Sequence, residues 1–285
     1  MLESRFMRNV LRIGGLDGLN AAPLQWGLDS GAGGDAVLTL RSPAASATAL
    51  AQGEADVALI PSIELSRMAG LSVVPGLCVA ARRHVRSVIL LSRCAPEDLG
   101  TVAVDATSRT SVALLRILLA RRFGATPRFV PAPPDPATMM AGADGALLIA
   151  DAALRAPAGR WQSHDLAELW FQWTGLPFVF ALWAARPGVD TVQAESILRR
   201  ARKAGLRALP QLVAEHATRH GNPGAAELTS YLGELLHYSL GPAEEESLRL
   251  FFAEAHALDL IPDPVAIHFT ATPAGGGHAL AGGTP

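Results

Sequence analysis

Between Val10 and Ala185 the chain repeats one pattern: a short apolar run, a polar turn, then a longer run with its apolar residues at helical spacing. Apolar runs of four to eight residues bounded by turn formers read as buried strands, and the 3.6-residue spacing reads as helix. The sharpest instance is Val102 to Leu119, where Val102-Ala-Val104 stops at Asp105-Ala-Thr-Ser-Arg-Thr-Ser111 and Val112-Ala-Leu-Leu-Arg-Ile-Leu-Leu119 resumes. This predicts a strand, a hydroxyl-rich turn and a helix. Thr107, Ser108, Thr110 and Ser111 then fall on the first helical turn, where backbone N–H groups lack intrahelical partners and the helix dipole favours negative charge. One hydroxyl would suffice as a cap, but here there are four in five residues. The turn is a candidate seat for a carboxylate or phosphate.

Two segments echo each other, Gly53-Glu-Ala-Asp-Val-Ala-Leu-Ile-Pro-Ser-Ile-Glu-Leu65 and Gly142-Ala-Asp-Gly-Ala-Leu-Leu-Ile-Ala-Asp-Ala-Ala-Leu154. Each is Ala-Asp, a buried strand, then a polar residue opening a helix: Ser62 in the first, Asp151 in the second. Continuous apolar strands followed by helices predict an α/β protein whose parallel sheets are covered on both faces, with ligands beyond the carboxyl ends of the strands. Two such units predict two lobes facing a shared cleft. The runs Arg86-Ser-Val-Ile-Leu-Leu-Ser92 and Pro177-Phe-Val-Phe-Ala-Leu-Trp-Ala184 bracket the anion seat and read as the strands at which the chain changes lobes. Lobe one is therefore expected at residues 8–90 plus 182–270, and lobe two at 91–181. Leu166 to Trp173 reads as a helix ended by Thr174-Gly175. From Thr191 to Leu260, breaks at Pro210, Gly221–Gly224 and Gly241-Pro242 divide roughly four helices, expected on lobe one. Residues 271–285, rich in Ala, Gly, Thr and Pro, are expected to be a disordered tail.

Composition narrows the function. The chain has 285 residues, 49% of them hydrophobic, which suits about two domains with sizeable cores. A formal net charge of −2 with dispersed Lys and Arg argues against nucleic acid as a partner. Cys78 and Cys94 form no C-x-x-C and read as free thiols. Charges interrupt the first thirteen residues and no later stretch offers eighteen apolar residues, so neither a leader nor a membrane span is expected and a cytoplasmic location is. His216 and His220 stand four apart but lack H-E-x-x-H context and a third ligand. Gly14-Gly15 with Gly18 is not G-x-G-x-x-G, and Walker A and G-x-S-x-G motifs do not occur. Metal, nucleotide and serine-hydrolase chemistry therefore have little support. Arg86 and Arg109 read equally as carboxylate partners and as surface residues.

The chain resembles the chorismate dehydratases of the futalosine-type menaquinone pathway over nearly all of residues 9–265. The carriers are Leu19-Asn20-Ala-Ala-Pro-Leu24, Asp56-Val-Ala-Leu-Ile-Pro-Ser-Ile-Glu64, Val74-Pro-Gly76, Ser87-Val-Ile-Leu-Leu-Ser92, Thr107-Ser-Arg-Thr-Ser-Val112 and, most specific, Glu168-Leu-Trp-Phe-Gln-Trp-Thr-Gly-Leu-Pro-Phe-Val-Phe-Ala181. Similar proteins carry Ser-Tyr or a like pair before Leu-Asn, where this chain has Asp17-Gly18. The resemblance implies an α/β, two-lobed fold of the type II periplasmic-binding-protein kind with a ligand cleft between lobes. It implies a lyase that converts chorismate to 3-(1-carboxyvinyloxy)benzoate without cofactor or metal, and it leaves room for a homodimer. Chorismate is a dianion that must lose its C3 hydrogen and C4 hydroxyl, so the cleft needs donors at a carboxylate where charge develops. Asn20, just past the strand Val10–Gly14, is the candidate catalytic residue, as a substrate binder or an aid to hydroxyl departure. Ser62, Ser87, Thr107, Ser108, Thr110, Ser111 and Asp151 are the candidate substrate-binding residues, Asp151 reading also as a helix cap. None of these is a histidine, and the substrate's own enolpyruvyl carboxylate lies close enough to C3 to act as the base. Two alternatives stand beside this reading: the sibling enzyme that makes 1,4-dihydroxy-6-naphthoate, and a solute-binding protein of the same fold.

Overall fold

The computed structural model describes residues 10–32, 34, 36–105, 107–157, 159–220 and 223–269, so the expectations for the first residues and for the 271–285 tail lie outside it. Four strands open the chain: β1 (Leu11–Leu16), β2 (Ala36–Arg41), β3 (Val57–Pro61) and β4 (Ser72–Ala81). After a crossing at residues 82–87 come β5 (Val88–Ser92), β6 (Thr101–Val104), β7 (Arg128–Pro131), β8 (Gly145–Ile149) and β9 (Gln162–Asp165). The chain then returns through β10 (Phe178–Ala185), and β11 (Leu236–His237) closes the series. One six-stranded sheet has the order β11-β4-β10-β3-β1-β2, and a second of five strands has the order β7-β6-β8-β5-β9. These sheets form the two lobes.

Two details depart from the sequence reading. The sheets are mixed: β1 runs parallel to β2 and β3, and β6 to β7 and β8, but β10 is antiparallel to β3 and β4 and β5 is antiparallel to β8 and β9. β5 and β10 are each the first strand after a lobe crossing and run against both neighbours, and the short β11 also runs antiparallel, to β4. All of β5 belongs to the five-stranded sheet, so the first crossing precedes Val88, earlier than the expected boundary at residue 90.

The helices begin and end for local reasons. Ser42 caps Pro43–Gln52 by accepting from the Ala45 N–H at 3.4 Å, Pro43 needs no such partner at the first position, and Gly53 ends the helix at φ 78°. Asp165 caps Leu166–Thr174 through the N–H groups of Ala167 and Glu168 at 2.9 and 3.2 Å, and Gly175 ends it at φ 72°, as Thr174-Gly175 foretold.

The helix Pro242–Ala257 was expected on lobe one, yet it braces lobe two as well. Phe178 lies between the rings of Trp170 and Phe251, 5.3 Å from each. The Trp170 indole N–H donates to Ser247 at 3.0 Å, and Arg121 pairs with Glu254 at 2.6 Å. Trp170, Phe178 and Phe251 are each under 2% exposed. Burial of such side chains stabilises by about 1.5–3 kcal/mol apiece, with about 0.5–1.5 kcal/mol more per edge-to-face pair. Among the described residues no helix is long and apolar enough to cross a membrane.

Candidate active site between the lobes

A cavity of about 130 Å³ lies where the carboxyl ends of β1, β3 and β8 and the start of the helix Arg109–Phe123 face one another. Of the side chains singled out from sequence, Asn20, Ser87, Thr107, Ser108, Thr110 and Ser111 line it together. They come from three separate stretches, so only the fold brings them together.

The lobe-one wall is built by β1. The Gln25 side chain lies along the end of this strand, accepting from the Leu16 N–H at 3.0 Å and donating to the Leu16 carbonyl. Gly15 is needed there because a Cβ would stand 2.5 Å from Gln25 Oε1 and 2.8 Å from Leu38 and Leu40. This clamp ends the strand and turns residues 19–21 into a single tight helical turn that carries Asn20 to the cavity. Gly18 leaves room for the Asn20 amide, whose Oδ1 lies 2.7 Å from where a Cβ would be. The unusual Asp17-Gly18 thus sits directly against Asn20. The rest of this wall is apolar: Leu16, Pro43, Pro61, Val79 and Phe180.

The lobe-two wall adds a polar turn to the apolar Val88, Ile149 and Ala150. Thr107 is committed to its own loop, its N–H and hydroxyl both donating to Asp105 at 2.9 and 2.8 Å. Ser108 and Ser111 are each 7% exposed and their hydroxyls make no hydrogen bond to the described residues. Both are free to meet a ligand at the unsatisfied N–H groups of the first helical turn. Thr110 reaches across the cleft, its Oγ1 accepting from the Ile63 N–H at 3.2 Å, so its own proton is left to donate. Beside it Arg109 pairs with Glu64 at 3.0 Å, and the Glu64 side chain is only 4% exposed. These two contacts tie the anion seat to the turn after β3. Glu64, not selected from sequence, was nonetheless present in the Pro-Ser-Ile-Glu stretch.

Ser87 stands at the chain crossing, in a backbone segment fixed by several hydrogen bonds. The Val85 and Arg86 N–H groups donate to Asp165 Oδ2 at 2.8 and 2.6 Å, while the Ser87 carbonyl accepts from Ala150 at 2.8 Å. Burial pushes the Asp165 carboxyl above its ordinary range even though four backbone N–H groups pull it down. Arg86 and Ala150 have φ of 62° and 49°, and non-glycine residues keep such values only where the surroundings impose them, commonly at functional sites.

Two expected residues stand elsewhere. Ser62 is fully buried and donates to the Val179 carbonyl at 2.8 Å, which fastens β3 to β10. Asp151 points along its own helix to Arg155 at 3.3 Å and lies 4.0 Å from His216; it caps nothing, since the helix Ala150–Leu154 has no side-chain cap. In both echo segments the residue that lines the cavity is the one before, Pro61 or Ala150. Arg86 turns outward to Glu227 at 3.2 Å. Among the described residues no three His, Cys, Asp or Glu side chains gather as metal ligands, and the His220 side chain lies outside the description.

Residues 11–257 match the family model for menaquinone biosynthesis. Over 235 residues the chain is 36% identical to the chorismate dehydratase of Thermus thermophilus, spanning 75% of this chain and 84% of that one. The chain belongs to the chorismate dehydratase family. A second chorismate dehydratase, from Campylobacter jejuni, is 25% identical over 206 residues, covering 72% of this chain and 77% of its own. The fold of this member of the chorismate dehydratase family extends further. A protein from Archaeoglobus fulgidus superposes with a TM-score of 0.73 at 15% identity, over 88% of this chain and 98% of its own. The periplasmic aliphatic sulphonate binding protein of Escherichia coli superposes with a TM-score of 0.65 at 18% identity, over 96% of each chain. At these identities the likeness establishes the two-lobed periplasmic-binding-protein fold.

Proposed function

We propose that this chain dehydrates chorismate to 3-(1-carboxyvinyloxy)benzoate in the cavity between its lobes. The observation that carries the reading is the convergence of Asn20, Ser87 and the Thr107–Ser111 turn on one interlobe cavity in a chain of this family. The reaction removes the C3 hydrogen and the C4 hydroxyl as water and leaves an aromatic ring. Loss of the C3 proton spreads negative charge through the diene onto the ring carboxylate. Fixed donors at that carboxylate stabilise the developing charge without having to reorganise. Ser108, Ser111 and the first N–H groups of the helix Arg109–Phe123 supply that donor set. The Asn20 amide, facing them from lobe one, assists the departing hydroxyl. The enolpyruvyl carboxylate of the substrate takes the C3 proton, so orientation replaces a dedicated protein base. Asp151 then has no part in proton transfer, which agrees with its pairing to Arg155. On the family resemblance we assign the step to the futalosine-type route and the cytoplasm.

The test is direct. Purified protein with chorismate and EDTA should yield 3-(1-carboxyvinyloxy)benzoate, followed by mass and ultraviolet absorbance. Unchanged chorismate under conditions where the protein is folded would sink the reading.

A further inference from the structure

Behind Ser87 lies a residue that no sequence motif marks. The helix Ala225–Ser230 widens into a single π-turn over Tyr231–Leu235, and such turns are frequent at functional sites. Its first residue, Tyr231, is 2% exposed, and its hydroxyl donates to Ser87 Oγ at 2.9 Å. The direction of this hydrogen bond follows from what each oxygen can reach. Ser87 Oγ is the acceptor that the Tyr231 hydroxyl has among the described residues. Were Ser87 to donate instead, the phenolic hydrogen would be buried with no acceptor, a costly arrangement. Burial also pushes the Tyr231 phenol above its ordinary range, so the group remains a protonated donor. With one lone pair of Ser87 Oγ engaged from behind, its carbonyl held by the Ala150 N–H and the preceding Val85 and Arg86 N–H groups held by Asp165, the Ser87 hydrogen is left to point into the cavity.

We propose that Tyr231 is a positioning residue for the dehydration: it turns the Ser87 hydroxyl into a fixed donor toward a substrate oxygen. This rests on the functional reading above. A hydroxyl free to rotate would lose part of its population to other acceptors on each encounter. One pinned by a buried phenol is preorganised for the developing charge.

The experiment is a double-mutant cycle of Tyr231→Phe and Ser87→Ala, read as kcat/KM for chorismate and as Kd for 3-(1-carboxyvinyloxy)benzoate by calorimetry. Tyr231→Phe should lower kcat/KM roughly ten-fold with thermal unfolding nearly unchanged. In the Ser87→Ala background the same change should add less than about two-fold, because its target is gone. Wild-type kcat/KM in Tyr231→Phe, or losses that multiply, overturns the positioning role while leaving the dehydratase reading intact. A wild type that binds the product but leaves chorismate unchanged removes the dehydratase reading, and the cycle in Kd then decides the coupling by itself. A wild type that does neither overturns both. Should Tyr231→Phe not fold, the chain's 2 tyrosines permit a second measurement. In protein labelled with 3-fluorotyrosine and assigned through Tyr238→Phe, the Tyr231 fluorine resonance should move when product binds. In Ser87→Ala it should stay; an unmoved wild-type resonance at saturation, or an equal shift in both proteins, overturns the proposal.

Discussion

The two walls of the interlobe cavity are built on different principles. Lobe two presents hydroxyls and N–H groups from consecutive residues at the start of one helix, Ser108 to Ser111, while lobe one presents Pro43, Pro61, Leu16 and Phe180 around a single amide, Asn20. The difference teaches a division of labour. A helix terminus binds anions with its own backbone and needs only small polar side chains to complete it. A mostly apolar wall excludes water, and the one polar group on it acts in a lower dielectric, where it counts for more. The first wall should govern affinity and contribute to rate through the carboxylate onto which charge spreads, while the second should act mainly on rate.

Substitutions can break or sharpen that contrast. The largest expected effect is that of Asn20→Ala, which should reduce kcat for chorismate roughly a hundred-fold or more, as loss of an isolated transition-state donor does. A drop confined to KM would erase the distinction between the walls. Next, Ser108→Ala and Ser111→Ala should each weaken product binding about ten-fold, seen in the calorimetric Kd, with kcat at saturation less affected. Equal Kd values in both variants would remove the anion seat. Glu64→Gln tests what holds the walls together, because it takes the charge from a buried partner of Arg109. As Arg109 remains one-third exposed, the cost should be about 1–2 kcal/mol in urea unfolding, less than for a fully buried pair. No loss there would mean that the interlobe pair is incidental. The smallest effect belongs to Asp151→Asn, whose kcat should stay within about two-fold of wild type because its carboxylate pairs with Arg155 and does not line the cavity. A thousand-fold loss would instead reveal a conventional base and refute the substrate-assisted route.

The contrast between Thr107–Ser111 and the echo segments shows which parts of a site are legible. In the first, four polar residues crowd one helical turn, so most orientations of the helix leave some of them facing the cleft. In the echo segments one polar residue stands alone after each strand, and whether it faces the cleft depends on a single backbone angle. Ala150 at φ 49° takes the cavity position and swings Asp151 onto its helix, and Ser62 is drawn to the Val179 carbonyl instead. The mixed direction of the sheets was hidden for a similar reason, since a continuous apolar run such as β5 reads alike whether its neighbours are parallel or antiparallel. Tyr231, Asp165 and Glu64 act through partners between 45 and 144 residues distant, and no local spacing announces such a pair.

The sequence by itself determined the strands, the capped helices and the hydroxyl-rich turn, because hydrophobic period, caps and glycine stops act between residues a few positions apart. Only the tertiary structure decided which polar groups are spent on protein partners and which remain for a ligand. It committed Thr107 to Asp105, Ser62 to β10 and the Tyr231 hydroxyl to Ser87, while leaving Asn20, Ser108 and Ser111 unspent. The physical reason is that a buried donor must find an acceptor wherever packing brings one. Which acceptor that is depends on how two lobes, each crossed twice by the chain, close upon each other.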